Sequence, residues 1–264
     1  MSVKKFRGQR FLWLTLALMI FFASGFKAEA GLQDEEFNEL PSWELGLRFD
    51  FLNRGIKWDG VKSTLKGLNL VAEARGKNLG GTVDLFLFAG LGNSKLNGAI
   101  FNQLPITLDY QAGGINGLVL GLAADWPLVQ ASDFRLGLTA DFTTWIGFNK
   151  KFAIEGFTFP GEAKAEPGWS QAGGGIFAAY EGYENIEPFL SVKVSALWGK
   201  FKMTENIQDL SGEESKSLKG SGLLGISLGC HLKLTDKLYL TPVAEFYPAS
   251  KFGLTGSLGL FYAF

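Results

Sequence analysis

Residues 251–264 (KFGLTGSLGLFYAF) restrict the possible folds of this chain more than any other stretch. The even positions from 252 read Phe, Leu, Gly, Leu, Leu, Tyr, Phe, and the odd positions from 253 read Gly, Thr, Ser, Gly, Phe, Ala. A strand sends successive side chains to opposite faces, so one face is oily and the other small and mostly polar. Residues 43–51 (WELGLRFDF) alternate in the same way, with Trp, Leu, Leu, Phe, Phe against Glu, Gly, Arg, Asp. After residue 30 no 18-residue apolar run exists, so no membrane-spanning helix is expected. A chain that is 47% hydrophobic, with one cysteine and no helical span, points to a β fold.

The first thirty residues read as a secretory signal peptide. Lys4, Lys5, Arg7 and Arg10 form a basic start, residues 11–22 an apolar run, and Ala28-Glu29-Ala30 a small-residue cleavage site. Its removal takes five of the 25 basic residues and one of the 26 acidic ones, leaving an excess of acid that disfavours nucleic acid as a partner. Residues 31–41 are an aperiodic lead-in, and 42–264 form one domain.

Period-two segments recur at 43–51, 66–76, 80–91, 115–126, 133–148, 169–181, 187–201, 220–234, 237–247 and 251–264. The gaps after the second, fourth, sixth and eighth are short. Those after the first, third, fifth and seventh are long, and the last of these, at 203–218, is polar. The expected fold is all-β, a closed antiparallel up-and-down transmembrane β-barrel of ten strands, with eight or twelve left open by uncertain strand ends.

The final stretch, ending on Phe264, resembles the C-terminal strand of bacterial outer-membrane β-barrels. The whole is similar in composition to the OmpA/OmpX/Opa-like class of small surface barrels. That resemblance implies residence in the outer membrane, recognition of the last strand by the barrel assembly machinery, periplasmic termini, and contact with outer-membrane lipids including lipopolysaccharide. A monomer is expected.

By parity Glu44, Arg48, Asp50, Glu73, Arg75, Asp84, Arg135, Asp141, Lys193 and Glu245 face inward and should pair in a narrow lumen, because unpaired buried charge is costly. Aromatic girdles are expected at Trp43, Trp126, Tyr180, Tyr262 and Phe264 on one rim and Phe148, Trp169, Trp198 and Phe246 on the other. Lys150, Lys151, Lys200, Lys202 and Lys251, with Lys57, Lys62, Lys66, Lys95 and Lys219, cluster at the outer rim, where lipid phosphates would meet them. No cofactor or metal is expected, given one histidine and one cysteine on opposite faces. Enzymatic outer-membrane barrels, such as the omptin proteases and the lipid A acylases and deacylases, need a histidine with acidic or serine partners at the outer rim. His231 falls at the other end. The reading is therefore a non-enzymatic structural or surface-interaction barrel, with a narrow passive pore as the alternative.

Overall fold

The computed structural model describes residues 42–80, 82–96, 98–102, 108–109, 113–154, 161–248 and 253–264. The expected signal peptide, the lead-in and Lys251 lie outside them. The strands are β1 (Ser42–Trp58), β2 (Val61–Leu79), β3 (Val83–Leu96), β4 (Ile100–Phe101), β5 (Leu108–Asp109), β6 (Gly114–Ala131), β7 (Phe134–Gly147), β8 (Lys150–Ile154), β9 (Gly161–Tyr180), β10 (Ile186–Ile207), β11 (Leu210–Gly220), β12 (Leu224–Thr235), β13 (Leu238–Tyr247) and β14 (Gly253–Ala263).

Ten of them close a ring. The order β1-β2-β3-β6-β7-β9-β10-β12-β13-β14 returns to β1, every neighbour antiparallel. The seam runs from Glu44 opposite Ala263 to Asn53 opposite Leu254. β8 and β11 bring the sheet to twelve strands. β8 pairs with the start of β9, and β11 with the end of β10 and the end of β1. The ring thus follows the ten expected segments, while the sheet has two strands more. β4 and β5 form a separate small hairpin.

We call the end where β1 begins and β14 stops the near end, and the other the far end. Short turns at the near end join β2 to β3, β6 to β7, β9 to β10 and β12 to β13. At the far end two expected gaps, the long one after residue 51 and the polar one at 203–218, are overturned. Both are strand. β1 runs to Trp58 and turns through Asp59 and Gly60 alone, with φ of 44° and 101°. Two positive φ values are what a two-residue type I′ hairpin requires, and Asp-Gly supplies them. β10 likewise turns into β11 at Gln208 and Asp209.

The side chains sort by height. In the near half the outward positions are oily and exposed, including Leu47 at 59%, Leu70 at 56%, Leu91 at 60% and Leu228 at 57%. They encircle the ring, far exceeding the few hundred Å² of contiguous apolar surface that a soluble monomer leaves bare. Lipid is the solvent that suits such a belt, and closure pairs every backbone amide there. In the far half the pattern inverts. Leu52, Ile56, Trp58, Leu65, Phe201 and Met203 point inward and are buried, while Lys57, Lys62 and Asn206 point outward. Two alternations of opposite sense run along the same strands.

Candidate functional site

The site is the barrel interior, which holds charge in the near half and mainly hydrocarbon in the far half, with Glu205 buried there as well. β1 and β2 set Glu44 directly opposite Arg75. Arg75 contacts Glu44 at 3.7 Å and donates from Nε to Glu73 at 2.7 Å. Arg48 pairs with Glu73 and with Asp50 (2.7 Å). Lys77 completes this group, 2.7 Å from Glu44. The two guanidinium planes also lie over rings, Arg75 at 3.3 Å from the Phe261 centroid and Arg48 at 4.3 Å from that of Phe88, where the ring face favours a cation.

Arg135 centres a second group with Asp84 (3.6 Å), Glu181 (2.9 Å) and Glu187. Lys193 centres a third, between Asp141 at 2.9 Å and Glu245 at 3.0 Å. The glycines of β9 make room for it. A Cβ on Gly175 would lie 2.7 Å from that of Lys193, and one on Gly173 would lie 2.8 Å from Asp141 Oδ1. All ten inward residues named from parity therefore take part in an ion pair, distributed over three groups.

Arg54 was missed, because strand one was expected to stop at residue 51. It is 1% exposed and sits where the two fillings meet. Its guanidinium lies 3.9 Å over Tyr247 and donates to Gln171 Oε1 (2.6 Å), Ser195 O (2.8 Å) and Gly222 O (2.8 Å). These acceptors are all neutral. The Asp-Gly turn at 59–60, flanked by Ile56 and Val61, was the sequence signal that β1 continues through position 54.

Above Arg54 the inward side chains are mainly aromatic and aliphatic. Trp145 and Trp169 stack with centroids 6.4 Å apart and planes 13° off parallel. Each indole N–H finds an oxygen, Trp145 donating to Gly92 O at 3.4 Å and Trp169 to Ser94 Oγ at 3.1 Å. Higher up, Phe201 packs against Trp58 (5.9 Å) and Phe101 (5.3 Å), with Leu96, Met203 and Leu218 around them.

His231 is near-end and inward. Its Nδ1 lies 3.0 Å from Thr241 Oγ1 and its ring 5.0 Å from Phe189. Cys230 is a free, half-buried thiol. Among the described residues no cluster of His, Cys, Asp and Glu has the makings of a metal site.

The rim lysines differ from one another. Lys151 is 2.7 Å from Glu162, and Lys202 is 2.9 Å from Glu213 and 3.9 Å from Glu166. Lys150 donates to Gly114 O at 3.5 Å. Lys200 is exposed on the far half of β10.

No protein-family model matches this sequence, and no curated protein matches it. Solved structures do. The outer-membrane protease OmpT from Escherichia coli aligns with a TM-score of 0.50 at 12% identity, over 87% of this chain and 100% of that one. The translocator domain of the autotransporter NalP from Neisseria meningitidis aligns at 0.46 and 10% identity, over 99% of each chain. The attachment invasion locus protein Ail of Yersinia pestis aligns at 0.38 and 13%, over 84% of this chain and 99% of that one. This chain has the fold of the bacterial outer-membrane β-barrels.

In such a barrel aromatic rings settle at the two membrane interfaces. Trp43 (51%), Phe148 (47%), Tyr262 (45%) and Phe264 (71%) are exposed on the outer wall, and Trp126, Tyr180, Trp198 and Phe246 are half-buried. Trp169 is the correction. It was expected in the far girdle and is instead buried in the barrel interior at 4%. It shares its parity on β9 with inward Phe177 and Ala179, and β9 pairs with β7 without a register shift between them, so the count of two already set it inside.

Proposed function

We propose that this chain is a sealed, non-enzymatic barrel of a bacterial outer membrane, with the near end in the periplasm and the far half standing outside as an interaction surface. One observation supports this reading above all. The lumen is filled in two successive layers, three ion-paired groups below Arg54 and the Trp145–Trp169 plug above it. A ring of ten strands is only slightly wider than those that side chains fill completely. Export would follow from residues 1–30 acting as a signal peptide, and β14 would be the strand read by the assembly machinery. Lipopolysaccharide phosphates would be met by far-end lysines, Lys200 among them.

The non-enzymatic reading draws on the position of His231, whose Nδ1 is taken up by Thr241 at the near end, away from any outer substrate.

Conductance tests the proposal. The purified barrel in a planar lipid bilayer should give no steady single-channel steps. Discrete, reproducible steps would overturn the sealed reading in favour of a narrow pore for small solutes. Lipase, protease or deacylase turnover lost on His231→Ala would overturn the non-enzymatic one.

A further inference from the structure

Four outward side chains stand in one transverse row on the far-half exterior. Trp198 on β10 is directly opposite Lys219 on β11, Lys219 is opposite Lys57 on β1, and Lys57 is opposite Lys62 on β2. All three lysines are exposed. Directly opposed residues of antiparallel strands have Cβ atoms about 5 Å apart, where like charges repel. A second opposed pair, Lys66 and Lys95, lies on β2 and β3.

Ordinary solvated strands mix their signs, and this sheet does so nearby. Glu166, Lys202 and Glu213 alternate across β9, β10 and β11 in a chain of ion pairs. The row has no such relief. Among the described residues no carboxylate lies within ion-pair distance of Lys57, Lys62 or Lys219. The acid nearest in sequence, Asp59, accepts from the Ser217 backbone N–H at 3.2 Å. The position is equally specific. Passing down β10 from Trp198, the next outward residues are Ala196, Val194 and Val192 of the lipid-facing belt, whereas on β2 Thr64 and Lys66 stand between Lys62 and Leu68. The row thus meets the hydrocarbon at its Trp198 and Lys219 end and stands above it, on the headgroup side, at Lys57 and Lys62.

We propose that this row binds the headgroup of an anionic membrane lipid bearing two phosphates, which bridge the ammonium groups of β11, β1 and β2. The inference rests on the reading that the apolar belt lies in a membrane. A phosphate between opposed lysines turns their mutual repulsion into shared attraction. Continuity with the belt at the Trp198 end selects a lipid over a free anion, because acyl chains descending from the headgroup would lie along Val194 and Val192. The indole of Trp198 would sit at the junction of headgroup and chain.

The test uses the full chain folded in a neutral detergent and titrated with bisphosphorylated lipid A, monophosphorylated lipid A or inorganic pyrophosphate, with bound ligand counted by native mass spectrometry. The bisphosphorylated lipid should bind most tightly, and more weakly as salt rises. Each lysine beside an anionic headgroup contributes about fivefold in affinity. The triple variant Lys57→Gln, Lys62→Gln, Lys219→Gln should therefore lose roughly 100-fold, whereas Lys233→Gln with Lys237→Gln at the near-end turn should stay within about twofold. The triple variant relieves like-charge repulsion, so it should keep the shifted gel mobility of a folded barrel when left unheated. An affinity retained within threefold in the triple variant overturns the site. Pyrophosphate that displaces the lipid at equal concentration overturns the lipid as occupant. Insertion of the wild-type chain into phosphatidylcholine vesicles is the separate control, and its failure would overturn the membrane reading itself.

Discussion

The near and far halves of the barrel use the same strands in opposite senses. On β1, Leu45, Leu47 and Phe49 face out while Glu44 and Arg48 face in; fewer than ten residues later Lys57 faces out while Ile56 and Trp58 face in. The backbone register never slips between them, because β1 pairs residue for residue with β2 from Ser42 to Trp58. What changes is the solvent on each side. Below, lipid takes the outer wall and the charges must satisfy one another inside. Above, water takes the outer wall and the interior becomes a hydrophobic core like that of a soluble protein. Each half is the inverse of the other, and Arg54 sits at the crossing with both a ring face and hydrogen-bond acceptors.

That contrast is tested most severely from the inside. Lys193→Met leaves Asp141 and Glu245 without their shared cation and should cost about 3–5 kcal/mol. Phe201→Ala, in the hydrocarbon of the far half, should cost a similar ~3–5 kcal/mol through a cavity. Denaturant unfolding of barrels refolded in lipid vesicles measures both, and a near-neutral Lys193→Met would mean the charged layer is hydrated more than it is paired. Next in size is the outer wall. Leu47→Arg, midway along the lipid-facing part of β1, should cost about 2–4 kcal/mol. Ser211→Arg, outward on β11, should stay within about 0.5 kcal/mol. Equal costs at the two positions would abolish the boundary between the halves.

The smallest effect is a pH dependence. Glu205 lies beyond the membrane-spanning part of β10, 1% exposed, with no hydrogen-bond partner for either carboxylate oxygen among the described residues. Burial, and then the charge of Glu214, raises its pKa above the ordinary carboxyl value. The folded chain therefore holds this proton more tightly than the unfolded one. Through this group, stability should rise as pH falls from above the folded pKa toward the ordinary carboxyl value of about 4.3, and level off below it. Unfolding midpoints across that range should show the slope in the wild type and lose it in Glu205→Gln. An unchanged slope in the variant would assign the dependence to other carboxylates.

The near half was legible because its alternation matches the template of an oily outer and polar inner face over whole strands. The far half contradicts that template, so 52–65 and 203–218 read as loops: Leu52, Ile56, Trp58 and Leu65 face inward, and on β11 the inward Gly212, Glu214 and Lys216 are no oilier than the outward serines. The Asp-Gly at 59–60 was a local hairpin signal that the expected long loop passed over. Trp169 went astray for a different reason. Its parity with inward Phe177, eight residues on along an unshifted β9, placed it inside, and the expectation of an outer girdle overrode that count.

The sequence alone determined the ring strands, their antiparallel order and the facing of most residues in the lipid-facing part, since period-two patterning is local to each strand. Only the tertiary structure decided which charges share a partner, which outward lysines stand side by side, and what fills the far half. These depend on register between distant segments. Arg54 meets Ser195, 141 positions away, and Trp169 meets Ser94, 75 positions away. No local pattern encodes such a meeting, because closing the ring is what brings β1 to β10 and β9 to β3 across the lumen.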